Sequence, residues 1–79
     1  MSDRASQAPL EQAAALYDAA ADELEQAAAH SRVAATHFRK AEIPRGAAHA
    51  WAAHGHVLAA QERLDAQART HAERSNPVA

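Results

Sequence analysis

The sequence predicts an all-α fold, an antiparallel two-helix hairpin that dimerises into a four-helix bundle. Three observations carry that expectation. The 79 residues hold only two glycines and three prolines, and these breakers are confined to a few places. Between them alanine dominates, the residue that costs least to place in a helix. Apolar residues recur at helical spacing over stretches far longer than a strand. The large apolar side chains are few: Leu10, Leu16, Tyr17, Leu24, Val33, Phe38, Ile43, Trp51, Val57, Leu58 and Leu64. A single small chain with so thin a core is expected to associate.

Helix one is expected over about 9–41, after a flexible N-terminus, 1–7. Ser6 or Ala8 would cap it, with Pro9 in the first turn, where a missing N–H does no harm. Its heptad is regular. With Leu10 at a, the a positions are Leu10, Tyr17, Leu24, Ser31 and Phe38, and every d position from Ala13 to Ala41 is alanine. The e positions add Ala14, Ala21, Ala28 and Ala35, so a coiled-coil seam of bulky a residues beside a flat alanine strip is expected. Glu11, Asp18, Glu25, Arg32 and Arg39 share the b face, acids first and bases last. That order complements the helix dipole and reads as a solvated face.

The turn is expected at about 42–44, in "EIPRG", because Pro44 disfavours helical geometry at Ile43. Helix two then runs over about 45–73 and completes a hairpin spanning 8–74. Ser75-Asn76-Pro77 stops it, leaving 75–79 as a flexible C-terminus. Its inward stripe is expected to be Ala47, Ala50, Trp51, His54, Val57, Leu58, Gln61, Leu64, Ala68 and His71. No charge occurs between Arg45 and Glu62, which predicts burial on more than one side. The back of that segment, Ala48, Ala52, Gly55 and Ala59, is small throughout. A second interface is therefore expected, formed by Ala48, Trp51, Ala52, Gly55, Leu58 and Ala59 against another copy of the chain.

The segment "WAAHGH", residues 51–56, invites chemical readings. Trp51-x-x-His54-Gly55-x-x-Leu58 resembles the first-helix signature of a tetratricopeptide repeat, but no helix break follows and no second copy of the pattern exists. His54 and His56 point to nearly opposite sides of a helix, and none of the six histidines has the i, i+4 spacing of a helical chelate. Hairpin geometry offers another arrangement. If the chain pivots near Ile43, His37 meets His49 and His30 meets His56, so two stacked inter-helix histidine pairs are expected on one flank. Those four are the candidates for a pH-sensing or metal-binding flank, with no metal or other cofactor implied.

Other classes find less support. There is no cysteine, hence no disulfide framework and no thiolate metal site. The start Met1-Ser2-Asp3-Arg4 is polar and no apolar run approaches the ~20 residues of a membrane span, which predicts a cytoplasmic protein. A net charge of −2 gives no global attraction to nucleic acid or anionic membrane. No glycine-rich phosphate loop occurs, and a hairpin offers little concavity for catalysis, so an enzyme is not expected. Arg32, Arg39, Lys40 and Arg45 cluster around the hairpin tip as a weak nucleic-acid footprint, with Glu42 among them.

"HFRKAEIPRGAAHAWAAHGHVLAAQERLDAQARTHAERS", His37 to Ser75, resembles the C-terminal half of small alanine-rich helical proteins of high-GC actinobacteria. The resemblance covers about half the chain and implies source and helical architecture, with no binding residues to carry over. A likeness to secreted two-helix partners of the WXG type stops at the surface, because Trp51 lies inside helix two and not in a Trp-x-Gly turn. The expected function is that of a non-enzymatic interaction or regulatory module acting through self-association, with an unidentified protein as a further possible partner. A nucleic-acid-associated regulator using the basic tip and a metal- or pH-sensing bundle using the histidine flank are the alternatives.

Overall fold

A computed structural model describes residues 4–75 and Pro77. Two α-helices pack against each other in a hairpin, α1 over Arg4–Arg39 and α2 over Ile43–Arg74, and no strand occurs among the described residues. α1 begins at Arg4, upstream of the expected start at about residue 9, which puts Pro9 inside the helix. The expected flexible residues 1–3, 76, 78 and 79 lie outside the described residues.

The turn is built by the backbone. Ala41 adopts φ 60, and the N–H of Glu42 donates to His37 O at 2.9 Å while that of Ala41 donates to Phe38 O at 3.0 Å. This pair of bonds is the Schellman stop, with alanine in the left-handed position that glycine usually fills. α1 therefore ends at Arg39 and not at Ala41. Glu42 then becomes the N-cap of α2, which starts at Ile43, earlier than expected, with Pro44 in its first turn. At the far end Ser75 N–H donates to Ala72 O and Ser75 Oγ to His71 O, closing the last turn.

The two helices bury small residues alone. Ala20, Ala27 and Ala34 of α1 and Gly46, Ala53 and Ala60 of α2 are buried, each set at heptad spacing. The alanine column at d was expected at the seam, and it is there. The bulky a residues are not. Leu10, Tyr17, Leu24 and Phe38 are exposed, and the row beside the alanines that turns inward is the one on their other side: Leu16, Glu23, His30 and His37. Alanine contacts let two helices approach closely, and the row that turns in beside them is the one whose polar groups find hydrogen-bond partners along the seam.

The inward stripe expected for α2 is corrected in the same way. Ala50, Trp51, His54, Val57, Leu58, Gln61, Leu64, Ala68 and His71 are all exposed, and Ala47 alone of that stripe is half-buried. The face that does turn inward carries Gly46, Ala53 and Ala60, with His49 and His56 beside them. A thin, long molecule results, with extents of 61 × 29 × 12 Å and a radius of gyration of 18.2 Å. A compact domain of this length has a radius of gyration of about 12 Å.

Candidate functional site

The alanine seam divides the hairpin into two unlike flanks. In a heptad the d column lies between a and g, so rows that share the seam sit on opposite sides of it. On one side α1 presents Leu10, Tyr17, Leu24 and Phe38, and α2 presents Ala50, Val57 and Leu64, an exposed apolar flank. On the other side α1 presents Glu23, His30 and His37, and α2 presents His49 and His56.

The second side is a continuous ladder. His56 Nδ1–H donates to Glu23 Oε1 at 2.7 Å. The His56 ring stacks on His30 with centroids 5.5 Å apart and planes 14° from parallel. His30 Nδ1 and His49 Nδ1 are 3.0 Å apart, a hydrogen bond between imidazoles whose rings tilt by 32°. His49 stacks in turn on His37, at 5.5 Å and 16°. His37 Nδ1–H then donates to Glu42 Oε1 at 3.0 Å, and Glu42 Oε2 forms an ion pair with Arg45 Nη1 at 3.5 Å. Each end of the ladder is thus a carboxylate, and every rung is half-buried in the groove between the helices.

Both histidine pairings expected from the hairpin arithmetic, His37 with His49 and His30 with His56, are present as stacks. Sequence reasoning missed their partners. Glu23 comes from the acidic half of α1 and Glu42 from the turn. One signal for Glu23 was available, since it occupies the same heptad row as His30 and His37. Among the described residues no group of three or more histidine, aspartate or glutamate side chains is arranged to hold a metal ion. The Nδ1 atoms of all four ladder histidines are already engaged.

Arg32, Arg39, Lys40 and Arg45 are all exposed near the tip, and Arg45 is tied to Glu42, which puts an anion inside the basic cluster. Of the expected second interface, Ala48, Trp51, Gly55 and Leu58 are exposed, while Ala52 and Ala59 are half-buried. Trp51 is 74% exposed, its ring at a steep angle to that of His54 with centroids 6.1 Å apart. A shallow groove of about 470 Å³ lies near the open end, lined by Pro9, Gln12, Ala15, Leu16, Ala19, Arg63, Gln67 and Thr70.

The architecture is that of an all-α antiparallel hairpin, and none of its described helices is long and apolar enough to cross a membrane. Comparison with protein-family models, with curated proteins and with solved structures finds no match.

Proposed function

We propose that the chain is a non-enzymatic interaction module that acts through self-association, two hairpins closing their apolar flanks against each other as a four-helix bundle. The observation that carries this reading is the inversion of the core. Ten large apolar side chains are exposed, from 39% at Val33 to 74% at Trp51, while the buried hydrophobic residues are all alanine. An isolated hairpin of this kind leaves most of its potential hydrophobic stabilisation unused.

Area makes the same point. The chain exposes 6106 Å². A compact monomer of this mass exposes about 4,600 Å², so roughly 1,500 Å² is in excess. Stable interfaces bury about 800 Å² per partner, and obligate dimers more, so the excess is of the size that a second copy would cover. Leu10, Tyr17, Leu24, Phe38, Val57 and Leu64 supply its centre, with Trp51 and Leu58 at the margin. In this arrangement Ala48 and Gly55 lie on the back of α2, away from the flank, and Ala52 and Ala59 lie on the side of His49 and His56.

Sedimentation at micromolar concentration tests the proposal, with a dimer expected. Leu24→Glu, which places a charge in the middle of the flank, should shift the dimer to monomer and lower helix content. A parent chain that sediments as a fully folded monomer would overturn the reading.

A further inference from the structure

We infer that the histidine ladder is a proton-operated latch between α1 and α2, closed while His30 and His49 share one Nδ1 hydrogen and opened when both are charged. Their two Nδ1 atoms lie 3.0 Å apart. Two imidazole nitrogens bond only if one carries a hydrogen and the other offers a lone pair. The ends of the ladder impose the opposite condition. A carboxylate oxygen only accepts, so Nδ1 of His56 and of His37 carries a hydrogen whether the ring is neutral or charged. Three of the four Nδ1 atoms are therefore protonated, and the bare one sits in the middle.

Acid fills the remaining nitrogens with unequal consequences. His56 and His37 can each take a proton on Nε2 with an anion already at Nδ1, which strengthens the existing bond. The donor of the central pair can do the same, and its N–H···N bond becomes charge-assisted. The acceptor Nδ1 cannot. Its protonation removes the bond and sets two cations at hydrogen-bond distance, with the rings of His56 and His37 stacked 5.5 Å away on either side.

The other charges along this flank do not relieve that repulsion. Glu23 is held by His56, Glu42 by His37 and Arg45, and Arg63, one heptad beyond His56, adds a further positive charge. The sign follows directly. The central bond supports the hairpin while its acceptor is unprotonated, and that support is lost when acid protonates the acceptor. The two carboxylates act against the loss by holding positive charge at the ends. Because the ladder lies on the flank opposite the apolar rows, the latch does not depend on self-association.

Nitrogen-detected NMR of the imidazoles at pH 8 reads the tautomers directly in the full chain. One of His30 and His49 should carry its hydrogen on Nδ1 and the other on Nε2, with His37 and His56 both protonated at Nδ1. Two Nε2–H rings at His30 and His49 would overturn the latch. Melting at one fixed concentration supplies the second readout. In a Glu23→Gln/Glu42→Gln chain, which lacks the end anions, the melting temperature should fall by about 4–8 °C between pH 8 and 5.5, the shift one lost hydrogen bond produces at this length. Adding His49→Gln, which can still pair with a charged His30, should reduce that fall to less than about 2 °C. An equal fall with and without His49 would refute the central pair as the moving part.

Discussion

The ring of Phe38 lies directly over Gly46, so that a Cβ built on the glycine would stand 2.8 Å from Cδ1 and Cε1 and 2.9 Å from Cζ. Real side chains do not approach this closely, so the last turn of α1 and the first of α2 fit because one residue has no side chain. Phe38 is half-exposed and can swing outward. Gly46→Ala should therefore displace the ring and cancel most of the ~1 kcal/mol that removing a helical glycine returns. Gly46→Val also needs room beside the buried backbone and should destabilise by ~1–3 kcal/mol. Urea unfolding of the two variants checks both values.

Gly55 is the contrasting case. Nothing lies within 4 Å of a Cβ placed there, and the residue is exposed in the middle of α2. Gly55→Ala should raise stability by about 0.5–1 kcal/mol, or roughly 4–8 °C per kcal/mol in the melting temperature. The same variant tests where two hairpins meet. With the apolar flank as the interface, the sedimentation profile should be unchanged, whereas a close helix crossing at Gly55 would lose affinity when the methyl is added.

Ala41 holds the left-handed position of the turn at φ 60. A Cβ in that conformation costs roughly 1–2 kcal/mol, which glycine does not incur. Glycine also gives freedom to the unfolded chain, so Ala41→Gly should gain a net ~1 kcal/mol or somewhat less. A thermal melt that moves upward with unchanged helix content is the expected result.

Much of this arrangement could be read along the chain, and the parts that could not have a physical reason. Periodicity sorts residues into rows, so the alanine column and the pairing of His30 with His56 and His37 with His49 follow from counting alone. Periodicity does not say which neighbour of the alanine column turns inward. Leu10, Tyr17 and Leu24 on one side and Glu23, His30 and His37 on the other have equal claims by spacing, and hydrophobicity favours the first set. The polar set wins because it can satisfy its hydrogen bonds across the seam. Trp51 and Leu58, expected on the inward stripe, are exposed for a related cause, since a helix with little polarity gives no contrast from which to find its inner face. The end of α1 differs from the expectation because local hydrogen bonds decide it. The stop at Ala41 uses backbone alone and leaves no mark of its own in the sequence.

The last prediction concerns how two hairpins lie in the proposed bundle. Leu10, Tyr17, Leu24 and Phe38 extend along most of α1, so apolar overlap is possible in either direction and its ~25 cal/mol per Å² does not choose between them. Charge does discriminate. The open half of each hairpin exposes Glu11, Asp18, Asp22 and Glu25, while the tip exposes Arg32, Arg39, Lys40 and Arg45. Side-by-side packing with tips together opposes like charges, and packing head to tail sets each basic tip beside its partner's acidic half. Exposed pairs contribute only ~0–1 kcal/mol each and are screened beyond ~8–10 Å, but with burial nearly equal they are enough to set direction. The crossing point is then mid-hairpin, where Leu24 and Val57 lie at about the same level. A spin label on Arg45→Cys, twelve residues from Val57, should give a label-to-label distance of roughly 35 Å from the helical rise on both chains. A distance below about 20 Å would mean the tips meet and would overturn the antiparallel arrangement.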